Sequence, residues 1–138
     1  MIDFEIDIPK VNLDFMNEDH KQATEITNRL INLANQPEID KKAINDTLNS
    51  LLLHCRQHFQ REEVQMQHFN FPAYDCHKGE HERVLKEIEG ELQAWQESTD
   101  LNHLKYYVQT TLTNWLINHI NTMDTITARF IASAGGPT

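Results

Sequence analysis

Between residues 40 and 69 one stripe runs without interruption: Ile44, Leu48, Leu51, Cys55, His58, Glu62, Met66 and Phe69. Its steps are 4, 3, 4, 3, 4, 4 and 3, the spacing that keeps side chains on one face of an α-helix. A face of that length has to be buried against other helices. Two of its members, His58 and Glu62, are polar and sit one turn apart. The chain is therefore constrained to a helical bundle whose core accommodates an imidazole and a carboxylate.

Three further stretches read the same way. Pro9, Pro37 and Pro72 punctuate them. The first helix is expected over about 17–36, with Asn17 as N-cap, Glu18 and Asp19 in the first turn, and the stripe Met16, His20, Ala23, Thr27, Leu30, Ala34. The second spans about 40–69, with Asp40 as N-cap. The third spans about 73–97 with Pro72 suited to its first turn, and its stripe is His77, His81, Val84, Ile88, Leu92, Trp95. Gly79 and Gly90 lie inside it, each a cost relative to Ala, with a close helix approach at Gly79 as the alternative. The fourth follows the break at Ser98–Asp100 and runs over about 100–132 through Leu104, Val108, Thr111, Trp115 and His119. Before the first helix, residues 1–16 read as an extended arm with Phe4, Ile6, Ile8 and Val11 as an apolar strip, and the tail after Ala132 is expected to fray. Scarce β-branched alternation excludes an all-β fold. The expectation is one all-α domain over 1–138, an antiparallel up-down-up-down four-helix bundle with an extended N-terminal arm.

Charge and composition narrow the function. Lys plus Arg is 12 and Asp plus Glu is 21, a formal charge of −9, which argues against nucleic acid and anionic membranes as partners. No apolar run approaches the ~18 residues of a membrane span, and the acidic start MIDFEIDIPK does not read as a signal peptide. Cys55 and Cys76 make no disulfide framework and read as reduced thiols, small hydrophobes rather than ligands. These features point to a cytoplasmic protein.

Every core stripe carries histidine: His20, then His58 with Glu62, then His77 with His81, then His119 with Asp124 beyond it. Residues i and i+4 lie one turn apart with Cβ atoms ~5–6 Å apart, so His58/Glu62 and His77/His81 can each face one centre. His119 and Asp124 are five residues apart, which on a straight α-helix leaves them ~140° out of line. Both can point inward only through a local widening, so a π-bulge is predicted there. An unpaired ionised carboxylate is prohibitive in a bundle core, and seven converging polar residues would prevent folding without compensation. A cation cluster removes the conflict. Five imidazoles and two carboxylates exceed the four ligands of one zinc and suit two iron or manganese ions with the carboxylates bridging; imidazole-rich ligation favours iron.

The pieces MNEDHK around His20, HFQREE from His58, HKGEH from His77 and WLINHINTMD from Trp115 to Asp124, in this order, resemble the hemerythrin family in its single-domain bacterial form, over roughly Leu13 to Phe130. Two departures stand out: no tryptophan in the arm, and Asp19 where Gln often precedes the first ligand. The resemblance implies a non-haem di-iron site (Fe2+/Fe3+) with a bridging oxo or hydroxo group that binds O2 reversibly. It implies His77, His81 and His119 on one iron, His20 and His58 on the other beside an open position, and Glu62 and Asp124 bridging. It also implies an apolar O2 pocket at Phe59, Trp115, Leu116 and Ile120.

Other readings are weaker. His54, one turn before His58, is a flanking residue; His68 and His103 read as surface; Glu63 reads as solvent-facing. A ferritin-like di-iron oxidase needs Glu-x-x-His pairs, and no glutamate here has His three residues on. His77-Lys78-Gly79-Glu80-His81 matches the H-x-x-E-H pattern of inverted zinc peptidases, but a zinc hydrolase leaves the other five polar core residues unexplained. The expectation is therefore not an enzyme but an O2 carrier, store or deliverer. The alternative is an O2, NO or redox sensor passing a signal to a protein partner or output domain. Oligomeric state is left open.

Overall fold

The computed structural model describes residues 1–137. Its elements are α1 (Phe4–Asp7), α2 (Asp14–Ala34), α3 (Lys41–His68), α4 (Tyr74–Ser98), and a last rod made of α5 (Leu101–Tyr106), α6 (Thr113–His119) and α7 (Thr125–Ser133) joined by two π-helical stretches, Tyr107–Leu112 and Ile120–Asp124. There is no strand among the described residues. Backbone angles stay right-handed helical at every junction of the rod, so it is one continuous fourth helix. α2 packs on α3, α3 on α4, and the start of the rod closes the ring against both α2 and α4. With short connections at 35–40, 69–73 and 99–100, this is the antiparallel four-helix bundle.

The helix ends follow local chemistry. The Asp40 carboxylate accepts from Ala43 N–H at 3.0 Å and the Asp100 carboxylate from His103 N–H at 3.1 Å, satisfying amides the helix leaves free. At the end of α3, Asn70 turns left-handed at φ 55° while Phe71 N–H donates to Met66 O at 2.8 Å, a Schellman closure. Pro72 therefore sits in the turn before α4 and not in its first turn, because the preceding closure uses it as a stop. Asn17 is not an N-cap. α2 begins one turn earlier, and the Asn17 amide instead pairs with both the N–H and C=O of Val11 at 2.9 Å. Asn28 does the same for Ile2 at 2.8 Å. These two clamps lay the arm along α2. The arm is not wholly extended, since α1 forms one turn capped by Asp3. Ile2, Ile8 and Val11 are buried, whereas Ile6 points to solvent. The described part of the tail does not fray at Ala132: Gly135 at φ 94° and a Gly136 N–H to Ile131 O bond of 2.9 Å close α7, and Thr138, the end of that expected fray, lies outside the described residues.

The apolar core is divided. One cluster gathers Leu30, Leu48, Val84, Ile88 and Val108 toward the far half of the bundle. The other joins the arm residues Ile2, Ile8 and Val11 to Leu13, Met16, Met66, Phe71, Ile120, Ala128 and Ile131. Along each of the four helices the polar core residues fall between these two clusters, so a polar layer is sandwiched by two apolar ones.

Candidate metal centre

All seven polar residues are buried: His20, His58, Glu62, His77, His81, His119 and Asp124. Their ligand atoms form two overlapping groups. Glu62, His77, His81, His119 and Asp124 make one; His20, His58, Glu62 and Asp124 make the other. The carboxylates belong to both, and each divides its oxygens between them. Glu62 Oε1 lies 3.2 Å from His81 Nε2 and 3.6 Å from His77 Nε2, while Oε2 lies 2.9 Å from His58 Nε2 and 4.0 Å from His20 Nε2. Asp124 Oδ1 lies 3.1 Å from both His77 and His119 Nε2, while Oδ2 lies 2.9 Å from His20 Nε2.

The five-residue spacing of His119 and Asp124 is absorbed by the π-helix at Ile120–Asp124. Thr125 N–H donates to Ile120 O, and the Thr125 hydroxyl donates to the same carbonyl at 2.7 Å. An i→i+5 turn brings residues five apart onto one face. The stretch Tyr107–Leu112 widens the rod in the same way, with the Thr113 hydroxyl on Val108 O at 2.7 Å.

Behind the ligand atoms, three imidazoles are fixed by their other nitrogen. His58 Nδ1–H donates to Asp19 Oδ2 at 2.9 Å and His81 Nδ1–H to Glu63 Oε2 at 2.9 Å. A carboxylate can only accept here, so each Nδ1 carries a proton and Nε2 faces the centre. His77 Nδ1 meets Thr127 Oγ1 at 2.8 Å. Two rings are also held by stacking, His81 on Phe59 at 3.9 Å and His119 on Trp115 at 4.5 Å between centroids. Glu63 thus does not face solvent alone, and Asp19 turns inward to His58. Sequence reading missed Asp19, Glu63 and Thr127 as supports because their partners lie on other helices. His54 flanks the site, its Nε2–H donating to Asp19 O at 3.0 Å and its ring parallel to that of His58. His68 and His103 are exposed. Cys55 is buried, but Cys76 is exposed.

The electrostatics favour a cation. Burial and the neighbouring Asp124 push the Glu62 carboxyl up, yet its contacts with His58 and His81 hold it at about 2. Burial likewise opposes ionisation of Asp124, and His119, His20 and His77 keep it well below its ordinary value. Burial disfavours a charged His58, but Glu62 and Asp19 raise it to about 10. Two carboxylates so close remain charged only because positive charge is concentrated around them. Even so, both Glu62 oxygens, Asp124 Oδ1 and His81 Nε2 are buried with no hydrogen-bond partner among the described residues. His77 Nε2 and His119 Nε2 point at each other across 3.2 Å. Orphaned acceptors aimed at common points are costly unless they coordinate a cation, so the residues present fit a pair of metal ions.

A small cavity adjoins the two-histidine group. It encloses about 20 Å³, and Leu51, Cys55, Phe59, Leu112, Trp115 and Leu116 form much of its wall beside His20, His58, His119 and Asp124. The Thr27 hydroxyl in this wall already donates to Ala23 O. Burial pushes the Cys55 thiol up to about 12. Phe59, Trp115 and Leu116 are where the sequence places an O2 pocket. Ile120 is not in this wall. It is fully buried in the opposite apolar cluster with Met16 and Ile131, because the π-helix that aims Asp124 inward begins at Ile120.

The profile of the family described as "Hemerythrin HHE cation binding domain" matches residues 11–131. A bacteriohemerythrin of Aquifex aeolicus is 25% identical over 122 residues, 88% of this chain and 92% of that protein. A bacteriohemerythrin of Methylococcus capsulatus is 26% identical over 119 residues, 82% and 83% of the two chains. A solved wild-type hemerythrin superposes with a TM-score of 0.76 at 21% identity, covering 88% of this chain and 90% of that one.

Proposed function

The chain belongs to the hemerythrin HHE cation binding domain family, and on that premise we propose that it binds O2 reversibly at a buried pair of irons. His77, His81 and His119 would hold one ion, His20 and His58 the other, and Glu62 and Asp124 would bridge them. The observation that carries this reading is the division of carboxylate oxygens: Oε1 and Oδ1 serve the three-histidine group, Oε2 and Oδ2 the two-histidine group. That is the arrangement expected of two ions sharing two carboxylates. It leaves the two-histidine side with fewer protein ligands, and both of its histidines, His20 and His58, line the cavity.

When bound, the two irons supply the electrons that O2 takes up on binding and returns on release. The chain's own residues do the rest. Asp19 and Glu63 hold protons on Nδ1 of His58 and His81, so that Nε2 is the donor atom. Phe59, Leu112, Trp115 and Leu116 exclude water from the cavity. A site that is to return O2 unchanged must not offer it protons. The ionisable groups that line the cavity are the proposed ligands His20, His58, His119 and Asp124; of the remaining wall, the Thr27 hydroxyl is committed to Ala23 O and the Cys55 thiol is held in its neutral form by burial. This supports binding over turnover. Carriage and sensing share the binding step and part only in whether a partner responds.

The test is iron content together with absorption spectra taken through a cycle of oxygenation and deoxygenation. Two irons per chain, with a visible band that appears on O2 and fades on its removal, are expected. Irons that oxidise once and do not return would convert the reading to an oxidase or redox sensor. One zinc per chain would overturn it.

A further inference from the structure

Of the five core imidazoles, His58 has the most elaborate support. Its Nδ1–H donates to Asp19 Oδ2 at 2.9 Å, and Asp19 is itself buried. The Arg61 guanidinium grips the same carboxylate with both prongs, Nε on Oδ2 at 3.0 Å and Nη2 on Oδ1 at 2.5 Å. His54 Nε2–H anchors the Asp19 carbonyl at 3.0 Å, so the carboxylate is pinned at its backbone as well as at its tip. By contrast His77 leans on a neutral hydroxyl, and among the described residues His20 Nδ1 has no partner and Glu63 behind His81 has no arginine on it. Arg61 differs from the rest of this set in being half exposed, at 46% of its side chain. A line of charge therefore runs from solvent through Arg61 and Asp19 to the ring of His58, which lines the cavity.

We propose that Asp19 is a positioning residue that fixes the His58 ring and enriches it in electrons, and that Arg61 is the counter-charge that limits this enrichment. The inference rests on the proposed metal-binding role of His58. An Nδ1–H donated to a carboxylate gives the imidazole more anionic character and makes Nε2 a stronger donor, which favours the more oxidised state of the ion it binds. Arg61 competes for the lone pairs of the same carboxylate, and one of its bonds ends on the oxygen that His58 uses. Removing each member should then act in opposite directions. Asp19→Asn keeps the shape but supplies a neutral acceptor, so the reduced state gains. Arg61→Gln frees the carboxylate to pull harder on Nδ1–H, so the oxidised state gains. A merely structural role predicts no such opposition, since both changes loosen one contact.

The experiment is redox titration of the iron-loaded full-length chain, wild type against Asp19→Asn and Arg61→Gln, with circular dichroism showing that each variant keeps its helices. The oxidised-to-reduced ratio at fixed potential should fall ~10-fold in Asp19→Asn, ~59 mV upward for a one-electron step, and rise in Arg61→Gln. Potentials that do not move, or that move together, overturn the proposal. A second measurement needs neither redox chemistry nor O2. In the zinc-loaded protein the His58 Nδ1–H proton resonance should shift in both variants, upfield in Asp19→Asn and downfield in Arg61→Gln. If wild type takes up no iron, the proposed function fails and the zinc-loaded spectra decide this inference: an unmoved resonance overturns it.

Discussion

Glu62 shows how much one side chain is asked to do. It is fully buried, contributes one oxygen to each half of the centre, and remains ionised only through its imidazole neighbours. Glu62→Ala should lower metal content sharply, and so should His119→Ala, with helix content by circular dichroism nearly unchanged because the stripes around them stay apolar. Full metal occupancy in both variants would refute the ligand assignment. Glu80 works at the rim. It accepts from Trp115 Nε1–H at 2.6 Å and from Arg83, and the Arg83 contact, with Trp115 adding to it against the opposing effect of burial, holds its carboxyl at about 2. A carboxyl depressed in the folded state contributes stability above its ordinary value near 4.5 and loses it as pH falls toward 2. Urea melts of wild type and Glu80→Gln should therefore differ at pH 7 and converge between pH about 4.5 and 2. A constant gap across that range would mean that Glu80 contributes through packing alone. At this scale the sequence was readable for groups that share a helix face, such as His58 and Glu62. It was silent on Asp19, Glu63 and Thr127, which meet their imidazoles across separations of 39, 18 and 50 residues that only packing can close.

Helices were legible from stripe spacing, and the widening between His119 and Asp124 from a spacing that a straight helix cannot satisfy. The first π stretch, Tyr107–Leu112, went unread because no polar pair straddles it to betray a change of phase. Capping was read correctly where an aspartate stands alone before a helix, at Asp40, and wrongly at Asn17, whose amide found a better use on the arm. The glycines divide along similar lines. A Cβ at Gly79 or Gly90 would meet nothing within 4 Å, so no close approach explains either one in α4. Gly90→Ala should raise stability by ~0.5–1 kcal/mol through the unfolded chain. Gly136 is the reverse: a Cβ there would lie 2.3 Å from Ile131 Cγ2 and 2.9 Å from Ile131 O. Gly136→Ala should destabilise by ~1 kcal/mol or more, as overpacking does. Thermal melts that fail to show opposite signs for the two changes would contradict this account.

For the whole molecule, a polar layer between two apolar clusters makes stability depend on what occupies the layer. Ions that bind the folded chain and not the unfolded one stabilise by mass action, ~2.7 kcal/mol at a free concentration 100 times the dissociation constant. Iron addition should raise the melting temperature and slow amide exchange first in the turns around His58, His77 and His119. An unchanged melt with iron bound would mean that the unfolded chain holds the ions as tightly as the folded one, and the layer would then not be a folded-state site. No described helix is long and apolar enough to cross a membrane. The arm carries the last consequence. Its two asparagine clamps treat a stretch of loose chain as a carpenter treats a plank, fastening it at both ends along α2. Beneath it lies Met16, one turn from His20 and wholly shielded. The first thirteen residues are thus a floorboard rather than a leash, and a protease that lifted them would let water in under the centre from the side opposite its cavity.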